Sequence, residues 1–238
     1  MGGAEATAHH VVRQRHIAGS MGMGMAVLLA VILGAHPAGT TELYADGVRF
    51  VEHVTPFWVV IHLLAGIVLL GLPLVVGAWA RLARSPGAAL LADLAAKLSV
   101  VGVAVGVLHL VGTDTVTFLA FQQTLAANGE SAAVGADVLL RLHAATLTVW
   151  AIGLFVAVPS AAAVASWLDG ERTWRFLLPA VIAVLAVAAV TVAMIERQWT
   201  TLSEMVLFRS STTLFLVWLF VVGWNLRRGG RSPAEQQA

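Results

Sequence analysis

The chain has 238 residues, of which 59% are hydrophobic and only 11% charged, with a mean hydropathy of +0.86; soluble domains carry about a quarter charged residues. A formal net charge of +1 with no basic stripe argues against a nucleic-acid partner. The absence of cysteine excludes disulfides, thiolate metal sites, iron–sulfur clusters and cysteine nucleophiles.

Six stretches approach the roughly 20 apolar residues that cross a bilayer: 18–35, 57–80, 98–121, 138–167, 176–195 and 206–226. They predict an all-α fold, a polytopic bundle of six transmembrane helices over 18–226 between tails at 1–17 and 227–238. The first stretch is the shortest. It follows Arg13 and Arg15 as the apolar part of a cleaved leader would, and Ala35 to Ala38 offers small residues. Proline at 37 and the Met–Gly alternation over 21–25 fit a leader poorly, so a retained span is expected.

Arg13, Arg15, Arg81, Arg84, Lys97, Arg172, Arg175, Arg227, Arg228 and Arg231 fall on one side of this alternation, and Arg49, Arg197 and Arg209 on the other, with Arg141 in the outer end of the fourth stretch. The positive-inside rule makes the richer side cytoplasmic, which places both termini inside a multi-pass cell-membrane protein. The lipid bilayer is then the first partner. A second membrane protein or another copy of the chain would be compatible with the same surface.

The longest outer connector, 36–56, carries Glu42, Asp46 and Glu52 beside Arg49 and His53. Its apolar Leu43, Tyr44, Val48, Phe50 and Val51 would rest on the membrane or cap a cavity; a solvated connector fits equally well. Ser85-Pro86-Gly87 predicts an inner turn, after which the Ala- and Leu-rich 88–97 re-enters helix with an Asp93–Lys97 pair. Trp58, Trp79, Trp167, Trp174, Trp199 and Trp224 lie near span ends and read as headgroup-level anchors. Trp150 and Trp218 lie deeper and read as core.

Three histidines fall inside the apolar stretches. On the third, Gly102 and Gly106 form a small-xxx-small pair whose face continues through His109, Thr113 and Thr117, so His109 should face a neighbouring helix. Helical counting puts His109 roughly 18 Å deep and Asp114 about 10 Å, with Asp114 rotated about 120° off the glycine face. His62 on the second stretch and His143 on the fourth share a depth of roughly 8 Å. Arg141 points away from His143, with Asp137 as its expected i−4 partner.

Ionisable rings are costly in hydrocarbon and usually face a bundle interior or cavity. A shared polar cavity open to the outer face is therefore expected, with His62, His109 and His143 as candidate cofactor residues. Imidazole suits haem b, copper or zinc, and His62, His143 and Asp114 are the candidate metal ligands. Glu52, His53, Glu196 and Glu204 are candidates for the cavity rim. The Ser210 to Thr213 run reads first as helix packing. No H-E-x-x-H, paired H-x-x-x-H, G-x-S-x-G or phosphate-binding glycine loop is present. Three functions fit these residues: a haem- or metal-binding redox protein, a proton-coupled small-molecule transporter using His109 and Asp114, and an accessory subunit whose histidines only join helices. Whether the chain is an enzyme is left open by its residues.

Overall fold

Long apolar runs bounded by Ser, Thr, Asp and Pro dictate helices with defined starts. In the computed structural model, which describes residues 2–36, 43, 45–128, 132–171 and 173–228, these runs build an all-α bundle that is 90% helical, with no strand among the described residues. Six helical stretches are long and apolar enough to cross a membrane: His10–Ala35, Pro56–Ala80, Pro86–Ala126, Ala133–Leu168, Trp174–Ile195 and Thr201–Arg228. Each keeps an end predicted from hydropathy or extends it, because polar residues continue the helix beyond the apolar core.

The first span lies in α1 (Gly2–Ala35), already helical over most of the expected tail. A short helix, α2 (Gly47–His53), precedes the second span, which divides into α3 (Pro56–Leu69) and α4 (Leu72–Ala80). The third span is α5 (Pro86–Val107), a π-helical segment Leu108–Thr117, and α6 (Phe118–Asn128). The fourth is α7 (Ala133–Trp150), a second π segment Ala151–Ala157, and α8 (Val158–Leu168). The fifth is α9 (Trp174–Ile195), and the sixth is a third π segment, Thr201–Phe208, followed by α10 (Arg209–Arg228). Pro37, Ala38, Glu42, Tyr44, Arg172 and Arg231 lie outside the described residues.

Side-chain oxygens start the helices. Asp46 accepts from Val48 N and Arg49 N, Thr55 from Trp58 N, and Ser85 from Ala88 N, the last two followed by proline at the first helical position. Thr200 and Ser203 cap each other's backbone N–H. Glycine sets the closest helix contacts. A Cβ on Gly19 of α1 would lie 2.5 Å from Gly223 O of α10, and one on Gly102 would lie 3.1 Å from Leu154 Cα, so the first span lies against the sixth and the third against the fourth. Ser211 donates across to Ile182 O, whereas Thr212 and Thr213 bond carbonyls of their own helix, as packing residues do.

Trp167, Trp174 and Trp224 are exposed near span ends, as anchors would be. Trp199 and Trp58 correct that reading, being 2% and 3% exposed. Trp199 Nε1 bonds Thr148 Oγ1 and Ala144 O, tying the fifth-to-sixth turn to the fourth span. Asp93 and Lys97 pair at 2.7 Å as expected. Asp137 does not serve Arg141 as its expected partner; its Oδ1 accepts from Gly47 N at 3.0 Å and so receives α2.

At the arginine-rich end, Asp169 accepts from Ser85 N at 2.8 Å and Arg84 N at 3.0 Å, joining the turn after the second span to the end of the fourth. Burial raises its carboxyl, but the Arg84 and Ser85 N–H donors and the Arg84 charge outweigh it, holding the group below its ordinary 3.8. A depressed folded value means that the junction's contribution is complete above about pH 4 and fades as pH falls through that lowered value. Acid titration of Ser85 amide exchange should show this loss. Asp169→Asn should remove the pH dependence of the protection relative to the unfolded chain and leave that protection lower throughout.

Candidate metal centre

The third span carries the geometry. Over Leu108–Thr117 its backbone winds with i→i+5 bonds, and Thr115 Oγ1 and Thr117 Oγ1 follow by donating to Leu110 O and Gly112 O, each five residues back. Residues five apart then share a face. His109 and Asp114 are five apart, so the carboxylate that ideal α geometry rotates away from His109 is brought to the same side, with His109 Nε2 3.3 Å from Asp114 Oδ2. Trp58 holds the turn from the second span by donating its indole N–H to Asp114 O at 3.1 Å.

The neighbouring spans supply three more imidazoles. His62 Nε2 of α3 lies 3.5 Å from Asp114 Oδ2, and His143 Nδ1 of α7 donates to Asp114 Oδ1 at 2.8 Å. His109, Asp114 and His143 each present a ligand atom within 4.8 Å of the others. His36, just beyond α1, places its Nε2 3.3 Å from His62 Nε2. His62, His109, Asp114 and His143 are all buried, at 3%, 2%, 1% and 4% exposure. The depth difference counted along straight helices does not separate the rings, since the centroids of His109 and His143 are 5.0 Å apart.

Hydrogen bonds fix which ring nitrogens are bare. His62 Nδ1–H donates to the carbonyl of Trp58 at 2.7 Å, which leaves Nε2 as the lone-pair nitrogen of the uncharged ring. Thr146 Oγ1 lies 2.9 Å from His109 Nδ1 and also reaches the Leu142 and His143 carbonyls; with its proton on a carbonyl it accepts from His109 Nδ1–H and leaves His109 Nε2 bare too. Both bare nitrogens face Asp114 Oδ2, a buried oxygen that accepts no hydrogen bond. With His36 in its Nε2–H form the first of them has one donor; the oxygen has none.

A lid covers the cluster. Phe50 of α2 lies 4.7 Å from the His143 ring and edge-on to Phe118, and Gln122 Nε2 donates to Val51 O and Val54 O at the end of α2. The connector therefore covers the His143 side of the cluster, while its apolar Leu43, Val48, Phe50 and Val51 are not among the walls of the cavity beside Asp114. Of the expected rim residues, Glu204 lines the same cavity, together with Arg209. His53 packs edge-on against Trp58 at 5.5 Å, outside the ring of ligands. Glu52 is exposed, and Glu196 lines a separate surface pocket with Gln198 and Thr200.

Sequence reasoning missed His36, Trp58, Trp150, Thr146 and Arg209. The Trp150 ring lies 5.4 Å from that of His109, and a Cβ on Gly106 would strike its Nε1. Arg209 donates from Nη2 to Leu33 O and His36 O, satisfying carbonyls at the end of α1 and seating His36. The signal for His36 was its place one residue past the first span, at the level where the other histidines begin.

Comparison of the chain with protein-family models, with curated proteins and with solved structures found no match.

Proposed function

We propose that this multi-pass membrane protein binds one transition-metal ion inside its bundle, with Asp114, His109 and His143 as its ligands and His62 beside them. The observation that carries this reading is the orphaned, buried Asp114 Oδ2 faced at 3.3 Å by His109 Nε2, within a group whose third member is His143. Electron-rich atoms in a buried site repel unless a cation lies among them. Ligand atoms about 2.1 Å from a tetrahedral ion stand roughly 3.4 Å from each other, which the 3.3 Å between His109 Nε2 and Asp114 Oδ2 matches. The Nδ1–H bonds to Trp58 O and to Thr146 are the outer support that metal-binding histidines characteristically have.

Imidazole with carboxylate suits zinc, copper or non-haem iron, and two histidines with one carboxylate leave positions open for a further ligand. Haem fits less well. The cavity is about 140 Å³, comparable to one of about 150 Å³ that admits benzene, and Asp114 occupies the space between the rings that a porphyrin would need. The charge bias of the connecting segments supports placing this centre near the outer face.

Elemental analysis after purification in detergent, with and without reloading by zinc, copper or iron(II), tests the proposal. About one ion per chain is expected, resistant to dialysis and lost at low pH as the ligands protonate. Sub-stoichiometric binding of all three metals would overturn it. The line of contacts from His36 through His62 to Asp114 and His109 favours a second reading, proton-coupled transport. Metal-stripped protein that still moves protons in proteoliposomes would favour that reading over the first.

A further inference from the structure

The cavity beside Asp114 has a polar end and a long apolar remainder. Leu29, Ile32 and Leu33 of α1 face Phe215 and Leu216 of α10 across it, while the imidazoles and Asp114 close the other end. A second, open groove of about 530 Å³ runs between the same two helices, walled by Ala26, Val27, Ala30, Gly34, Thr213 and Val217. The groove and the inner cavity share Leu33, Arg209 and Leu216 as walls. Ala30, Val27 and Val217 are exposed on a span, so this groove opens sideways into lipid and not along the bundle axis.

We infer that the groove between the first and sixth spans admits a long-chain carboxylate from the bilayer, its head reaching the Asp114 centre and its hydrocarbon tail lying between Leu33 and Leu216. The inference rests on the metal-centre reading above and names the ligand class of that site. Charge and size select this chemistry. A divalent ion with one aspartate retains a positive charge in a low-dielectric site, and a second carboxylate neutralises it. Arg209, which lines both the groove and the inner cavity, adds a fixed positive charge where they meet and favours the same ligand. The inner cavity, about 140 Å³, accommodates a narrow chain and not a fused ring system or a two-chain lipid.

The test uses the full-length, zinc-loaded protein in nanodiscs, a palmitate carrying a diazirine on its chain, and the matching alkane diazirine without a carboxylate. Ala30→Trp with Gly34→Leu fills the outer groove; a Cβ on Gly34 would meet nothing within 4 Å, and Ala30 is exposed, so both substitutions start from open positions on the groove wall. Saturable photolabelling of the peptides bearing Leu29, Ile32 and Leu216 is expected for the palmitate probe. It should be competed by unlabelled palmitate and fall about tenfold or more in the double variant, at unchanged zinc content. Equal labelling by the alkane, equal labelling of the double variant, or label spread over exposed Leu74, Leu90 and Met194 would overturn the inference while the zinc content upholds the metal centre. Zinc content near zero would fail the metal reading itself. Saturable labelling that persists unchanged after zinc removal would overturn the anchoring of the head at that centre.

Discussion

Asp114→Asn is expected to weaken zinc or copper binding more than about 100-fold, beyond the 10- to 100-fold losses that follow from disturbing residues that merely support a ligand. The side chain keeps its shape and its Oδ1 contact with His143, but the oxygen at Oδ2 becomes an uncharged amide group facing His62 and His109. Stability separates this from a structural role. Metal that binds only the folded chain stabilises it by about 2.7 kcal/mol at a concentration of roughly 100 Kd. Melting of the parent protein should therefore rise on adding metal, and melting of Asp114→Asn should not respond. Without metal the variant should be as stable as the parent or more so, because a buried carboxylate with no hydrogen bond to Oδ2 has been removed. If Asp114 served only to join helices, the variant would lose stability equally with and without metal, and thermal melts in the two conditions would show it.

The six spans were legible because the period-independent signal, a run of apolar residues, is enough to place a span. The contact face of the third span was legible too: Gly102, Gly106 and His109 fall on one α-helical stripe, and the structure lays that stripe against Leu154, Trp150 and Thr146. Asp114 was recognised as a candidate ligand but assigned to another face, because 3.6 residues per turn was assumed through a segment that winds with i→i+5 bonds. Nothing in the composition of Leu108–Thr117 announces that winding. The paired threonines at 115 and 117, each able to bond a carbonyl five residues back, are the nearest to a signal. Trp58 and Trp199 were misread for a different reason: closeness to a span end fixes depth but not whether a ring faces lipid or the bundle. Asp137 was assigned by spacing along its own helix, whereas its partner, Gly47, is distant in sequence and could not be inferred from periodicity.

That contact between Gly47 and Asp137 makes the lid testable. A Cβ on Gly47 would lie 2.5 Å from Ala136 C, Asp137 N and Asp137 Oδ1, which are backbone or short side-chain atoms unable to swing aside. Gly47→Val should therefore lift α2 from α7 at a cost of about 1–3 kcal/mol, which corresponds to roughly 5- to 150-fold in the lid's opening equilibrium. The substitution does not touch the ligands. Phe50 would leave the His143 ring and Gln122 would lose Val51 O and Val54 O, opening a route from the aqueous side to the centre. The expected result is faster amide exchange over Gly47–His53 and metal release accelerated by a similar factor, measured by transfer to a chelator, while stoichiometry at saturation stays unchanged. Unchanged release with accelerated exchange would show that metal reaches the centre by another path, leaving the opening between the first and sixth spans as the entry consistent with the cavity walls.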